Sequence, residues 1–275
     1  MQKIDAHQHF WHYHPVKDAW ITADMAVIQK DFMPEDLLPV LKENTIDGCI
    51  AVQASQNEEE NIFLTQLATS YPSIKGIVGW VDLQADDIDD KLQLHVLNPF
   101  IKGFRHVLQA EPNEFMLAEK FMRGISLLAK YNFTYDILIN CGQVRHAEKL
   151  VRAFPTQRFV IDHLAKPMIT SQVIEGWKQD MEALAQHQNV CCKISGFCTE
   201  ADWQNWTHQH VAPYFDAVFN AFGPNRVMFG SDWPVNLLAG GYNKTVHCLR
   251  EYTAGFSAPD QDKFWGGNAA DFYNL

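Results

Sequence analysis

A parallel (β/α)8 barrel (a TIM barrel), running as one domain over residues 1–275, is the fold this sequence predicts. Eight short apolar runs recur along the chain, amphipathic stretches of helical periodicity separate them, and polar residues gather where the runs end. The length agrees, since barrels of this kind typically take ~250 residues. No low-complexity tract, charge block or Gly/Ser linker interrupts the beat, so no internal boundary is expected.

In chain order the strands are expected at Lys3 to Asp5, Gly48 to Gln53, Gly76 to Val81, Ile101 to Arg105, Thr134 to Ile139, Phe159 to Asp162, Val190 to Ser195 and Val227 to Gly230. Glu35 to Glu43, Glu58 to Ala68, Leu117 to Lys130, Val144 to Phe154 and Val173 to Gln186 repeat apolar residues at three and four, the mark of a helix with one buried face. A doubly wound open sheet is the competing arrangement. Its first turn is usually rich in glycine, whereas the first turn here reads Ala6-His7-Gln8-His9.

Hydrophobic residues make up 47% and charged residues 20%, enough apolar material for a core and too little charge for disorder. With 22 Lys plus Arg against 33 Asp plus Glu, the net charge of -11 disfavours nucleic acid as a partner. The opening MQKIDAHQHF carries neither a basic nor an apolar leader segment, and no later run approaches the ~20 apolar residues of a membrane span, so a cytoplasmic protein is expected. Six cysteines, without a CxxC pair, read as small buried hydrophobes.

In a parallel barrel the C-terminal strand ends converge on one mouth, so polar residues there are candidates for chemistry. His7 and His9 are two apart in an extended chain and point the same way, offering two imidazoles to a metal ion or a substrate. His208 and His210 share that spacing in a helical pattern, where residues two apart diverge, and read as solvated surface. After Val160-Ile161, Asp162-His163 puts a titratable ring at the rim, either as a ligand or as a satisfied structural histidine. Asp232, after Met228-Phe229-Gly230-Ser231, is a base or an N-cap. Arg105 and His106 end the fourth strand and suit an oxyanion, a carboxylate or a surface salt bridge. Lys193 and Ser195 share one face of the seventh strand and rank below the histidines.

The segments DAHQHFW (5–11), VGWVDL (78–83), KGFRHVLQ (102–109), TYD (134–136), FVIDHLAKP (159–167), CKISG (192–196), MFGSDWPV (228–235) and GGNAADFY (266–273) occur in this order. Together they resemble the sugar-lactonase branch of the amidohydrolase-2 family, which includes L-fuconolactonases and L-rhamnonolactonases. The resemblance implies a hydrolytic centre lined by His7, His9, His163 and Asp232, the same four being the implied metal ligands. Relatives of this kind differ in whether they hold a metal, so one divalent ion, with Zn²⁺ as the candidate, or none is the expectation here. Two-metal members of the wider superfamily bridge their ions with a carbamylated lysine near strand four or five, and neither Gly103-Phe104-Arg105 nor Tyr135-Asp136-Ile137 supplies one. Where the family commonly reads DHLGKP, this chain has Ala165.

Opening a lactone requires an activated water and a stabilised oxyanion. Asp232, tuned toward neutral pH in a closed pocket, is the expected general base, and His163 orients the water or protonates the leaving alkoxide. Arg105, His106, Trp80 and Trp233 are the expected substrate contacts, with a small sugar lactone as partner and a homo-oligomer left open. A metal-dependent decarboxylase of the same fold, or a non-catalytic sugar-binding protein using Trp11, Trp80 and Trp233, are the other readings.

Overall fold

The computed structural model describes residues 1–275 and closes the expected barrel. The strands are β1 (Ile4–Gln8), β2 (Gly48–Val52), β3 (Ile74–Gly79), β4 (Ile101–His106), β5 (Thr134–Ile137), β6 (Phe159–Ile161), β7 (Val190–Ile194) and β8 (Val227–Phe229). They form one sheet in sequence order, every neighbouring pair parallel. The seam between β8 and β1 is closed just beyond β8, where Gln8 bridges Trp233 in parallel. His9 N–H donates to the Trp233 carbonyl at 2.7 Å and Asp232 N–H to the His7 carbonyl at 2.8 Å. The buried Asp5 carboxylate adds a clasp, accepting from Ser231 N–H at 2.8 Å.

The outer layer comprises α1 (Pro34–Glu43), α2 (Glu58–Ser70), α3 (Ile88–His95), α4 (Glu119–Leu128), α5 (Val144–Ala153), α6 (Glu175–Leu184), α7 (His208–Phe222), α8 (Gly241–Thr253) and the short α9 (Ala258–Asp262) and α10 (Asn268–Tyr273). None is long and apolar enough to cross a membrane. Of these, α3 and α8 to α10 are not among the stretches the periodicity marks, whereas α7 begins in the helical pattern of His208 to His210. The helix α7 carries Pro213 in its first half, and α8 begins at Gly241, where Gly240 and Gly241 turn the chain with positive φ.

Two apolar cores result. The larger lies between strands and helices; the smaller fills the lower barrel with Ile4, Ala6, Ile50, Val52, Val78, Val160 and Met228, closed from below by Ala269, Phe272 and Tyr273 of α10. Asn268 seats that plug by donating to the Pro224 and Val227 carbonyls, both at 2.7 Å.

Strand boundaries differ from expectation where side chains capture the backbone. β3 stops at Gly79 rather than Val81 because Asn61 of α2 takes both polar groups of Trp80, donating to its carbonyl (2.7 Å) and accepting from its N–H (2.9 Å). β6 stops at Ile161 because the next residues turn left-handed: His163, Leu164, Ala165 and Lys166 all have φ between 48° and 55°. All six cysteines are free, four of them buried.

Candidate active site

The upper barrel is polar, and three strands deliver the four residues at its centre. Alternation along β1 and its extension brings His7 and His9 to the same side, as the spacing requires. The left-handed turn after β6 delivers His163, and a single left-handed residue after β8 delivers Asp232, at φ 58°. All four side chains are buried. His7 Nε2 and His9 Nε2 are 3.2 Å apart, Asp232 Oδ1 is 3.4 Å from His9 Nε2 and 3.9 Å from His7 Nε2, and His163 Nε2 faces the same oxygen at 3.8 Å.

The ring protons follow from the neighbours: the Val52 carbonyl beside His9 Nδ1 only accepts and Arg105 Nη1, 3.2 Å from His7 Nε2, only donates, while His7 Nδ1 lies 3.2 Å from both Asp162 Oδ1 and Lys193 Nζ. His9 Nδ1–H donates to the Val52 carbonyl at 2.8 Å, and His7 Nδ1–H to Asp162 Oδ1 at 3.2 Å. Both Nε2 lone pairs therefore face each other and the Asp232 carboxylate. Three acceptors converging in a buried space call for a cation, and a tetrahedral ion with bonds of ~2.0–2.1 Å spaces its ligands about 3.3 Å apart. The set His7, His9 and Asp232 thus fits one divalent ion, with Asp162 orienting His7 as carboxylates do behind metal-binding histidines. His163 falls instead in a second triad with His7 and Asp162.

Below this centre lies a fully buried charge network. Lys193 Nζ donates to Asp136 Oδ2 at 2.5 Å and lies 3.0 Å from Asp162 Oδ1. Tyr273 of the plug donates to Asp136 at 2.8 Å. Arg105 donates through Nη1 to Asp162 at 3.2 Å and through Nη2 to the Gln53 carbonyl at 2.5 Å, with Nη1 also 3.2 Å from His7 Nε2.

The surroundings set the charges. Burial pushes Asp232 up, but the surrounding imidazoles of His163, His9 and His7 outweigh it and hold the carboxyl below its ordinary range. The expected tuning of Asp232 toward neutral pH is therefore corrected: three imidazoles around it win over desolvation. Burial lowers His163 to about 4, so the ring is neutral at pH 7. Burial raises Asp136 to about 6 against the pull of Lys193, whereas for Asp162 the opposing Lys193, His7 and Arg105 prevail and lower it well below the carboxylate range.

Several expected substrate contacts are placed elsewhere. Arg105 is 5% exposed and bonds Asp162 and the Gln53 carbonyl with Nη1 3.2 Å from His7 Nε2, so it is not a surface salt bridge and lies against the centre. His106 stacks on Phe115, contacts Phe121 of α4 and pairs with Glu111 at 3.1 Å, on the helix side of β4. Trp233 is core, packed edge-on against Phe10 and Phe32. Trp80 is half-buried at the end of β3, its indole N–H enclosed without a partner. The structure adds Asp162, Asp136, Tyr273 and Gln53 to the surroundings of the centre and brings in Lys193, which the sequence ranks below the histidines. Lys193 carries a signal, its shared strand face with Ser195, whose hydroxyl lies 2.8 Å from His163 Nδ1; Tyr273 closes the GGNAADFY segment, but no local pattern places it beneath the barrel.

A parallel barrel with imidazoles and a carboxylate converging at its C-terminal strand ends defines a barrel hydrolase centre. Comparison with known proteins makes the class specific. The family described as amidohydrolase matches residues 4–275. The L-fucono-1,5-lactonase of Burkholderia multivorans is 34% identical over 285 residues, covering 99% of this chain and 96% of its own length, and that of Burkholderia ambifaria is 33% identical with the same coverage. A Burkholderia multivorans amidohydrolase crystallised with bound zinc superposes with a TM-score of 0.97 at 34% identity, over 100% of both chains. The chain belongs to the amidohydrolase family, on its sugar-lactonase branch.

Proposed function

We propose that this enzyme opens a sugar 1,5-lactone to the aldonic acid, with L-fucono-1,5-lactone as the first substrate to try and one divalent ion, Zn²⁺, held by His7, His9 and Asp232. The observation that carries the reading is the convergence of two imidazole lone pairs and a carboxylate in one buried space, beside a neutral His163. The lactonase relatives supply the substrate class. An ion bound there contributes Lewis acidity toward a carbonyl or a water molecule.

The residues themselves do the rest. Asp232, ionised at neutral pH, accepts the proton of the attacking water as the carbon–oxygen bond forms and returns it to the alkoxide released when the ring opens. Its lowered basicity is offset because the attacking water becomes more acidic as the carbon–oxygen bond forms, and the alkoxide, a far stronger base than a carboxylate, then takes the proton back. His163 is neutral and serves as a hydrogen-bonding group that orients Asp232 and the water, rather than as an imidazolium acid. Arg105 holds His7 and Asp162 in place.

A pH-indicator assay over an aldonolactone panel tests the activity, since each turnover releases an acid. Elemental analysis of the active protein is expected to find about one zinc per chain. Two equivalents would overturn the mononuclear reading, and carbon dioxide release from aromatic acids without lactone opening would overturn the activity.

A further inference from the structure

The loops after β6 and β7 set a second charged pair at the mouth, outside the imidazole–carboxylate centre. Lys166 Nζ lies 3.5 Å from Glu200 Oε1, the two side chains 23% and 26% exposed. Each is tied to the centre by its own backbone. Lys166 ends the left-handed turn that begins at His163, its N–H bonded to the His163 carbonyl at 2.7 Å. Glu200 follows a turn in which Thr199 Oγ1 donates to the Gly196 carbonyl at 2.8 Å. Gly196 packs directly on the centre, where an added Cβ would sit 2.5 Å from His163 Nδ1 and 3.1 Å from Asp232 Oδ2. The two loops are also bolted together, since Thr170 donates to the Glu200 carbonyl from its N–H at 3.1 Å and from its hydroxyl at 3.0 Å.

This construction exceeds what the ion pair does for the fold. A single half-exposed contact of this length adds little stability. Left-handed backbone in four consecutive non-glycine residues is unfavourable, and such strain persists where the side chains it presents have a use. The turn presents two, His163 inward and Lys166 toward Glu200.

We propose that Lys166 and Glu200 are the specificity pair of this site, recognising the ring hydroxyls of the sugar lactone. The inference rests on the sugar-lactone reading above. Each hydroxyl both donates and accepts, so neighbouring hydroxyls satisfy the carboxylate as acceptor and the ammonium as donor through charge-assisted bonds. A ring without hydroxyls leaves the two charges paired only with each other.

Steady-state kinetics on the metal-loaded protein test this with L-fucono-1,5-lactone and with δ-valerolactone, a ring of the same size lacking hydroxyls. Loss of one charge-assisted bond in Lys166→Met or Glu200→Gln is expected to raise KM for the sugar lactone about tenfold or more, with the loss on KM rather than kcat and several-fold larger than on δ-valerolactone. The charge-exchanged double variant Lys166→Glu with Glu200→Lys rebuilds the ion pair and is expected to leave KM high. Equal losses on both lactones, an unchanged KM, or full recovery in the exchanged variant would each overturn the pair. A wild-type protein that opens no member of the aldonolactone panel overturns the lactonase reading and the pair with it, whereas activity with unaltered variants overturns the pair alone.

Discussion

β1 and β6 bring histidines to the same centre by opposite means. His7 lies in β1 and His9 just past its end, both on the face that the pleat assigns them, each with its second nitrogen bonded to a neighbouring acceptor. His163 stands beyond its strand, on backbone that no strand or right-handed helix supplies, and Asp232 after β8 repeats this with one left-handed residue. The regular side supplies two imidazole lone pairs at fixed spacing. The strained side supplies the groups that face the attacking water in the proposed reaction. Regular structure thus supplies two of the three acceptors of the candidate cation site, while irregular backbone places the third, Asp232, and sets His163 beside it.

The largest expected effect lies on the strained side. Asparagine at position 232 keeps the shape and hydrogen bonding of the carboxylate but accepts no proton at neutral pH, so Asp232→Asn is expected to lower kcat by ~10² to 10⁴. Zinc content is measured in parallel, because Asp232 also belongs to the cation triad. A variant that keeps its metal, its fold and its rate would remove proton transfer from this side and break the comparison.

Beneath both sides lies the Lys193 network, where the expected loss is in stability. Lys193 is fully buried against Asp136 and Asp162, so Lys193→Met leaves two buried carboxylates short of their cation at a cost of about 3–5 kcal/mol. For a chain of this size that corresponds to a melting temperature lower by roughly 6–20 °C. Pairing it with Asp136→Asn removes one stranded charge and is expected to recover a good part of the loss. A single variant melting like wild type would mean that both sides stand without this shared base.

The same contrast explains what could be read from the sequence. The barrel was legible because eight apolar runs and their separating helices are periodic, and periodicity is what a one-dimensional pattern records. His7 and His9 were legible because alternation sets their direction. The positions of Asp232 and His163 were legible as polar breaks after apolar strands, but their mutual geometry was not, since it depends on φ values that Ala165 and Lys166 do not advertise. Arg105 and His106, adjacent at the end of β4, looked alike; the pleat sends Arg105 into the barrel and His106 against Phe115 and Phe121. Trp233 looked like a stacking platform, yet seam closure draws its backbone to His9 and its ring into the core. Tyr273 entered the network only because α10 plugs the barrel, a contact spanning 137 residues.

A smaller effect is expected at Gly196, where the β7 loop touches both strained groups. Its φ of 59° and the 2.5 Å approach of an added Cβ to His163 mean that Gly196→Ala must displace the ring. Displacement by about 1 Å typically lowers turnover ~10²-fold while leaving the remainder of the site intact. Zinc held by His7, His9 and Asp232 is expected to remain near one equivalent, which separates this variant from a lost cation site. Normal turnover would show that His163 tolerates movement and that its strained placement is not what the reaction uses.

The finest test measures the strain itself, by making one substitution on each side. Ala6 in β1 and Ala165 in the turn after β6 are both fully buried, so Ala→Gly removes the same methyl group from each. At position 6 the losses are the methyl, ~0.8 kcal/mol, and the added freedom of glycine in the unfolded chain, ~0.5–1 kcal/mol, for a destabilisation of about 1–2 kcal/mol. At position 165 the same losses apply, but glycine also relieves a left-handed conformation that costs an L-residue roughly 1–2 kcal/mol. The two contributions nearly cancel, so Ala165→Gly is expected to melt within a few degrees of wild type while Ala6→Gly melts clearly lower. The difference between the two, read by denaturant unfolding, is the energy stored in one residue of the turn that carries His163. Equal losses at both positions would mean that Ala165 stores no such energy, and the contrast between a regular side and a strained side would then reduce to one of shape.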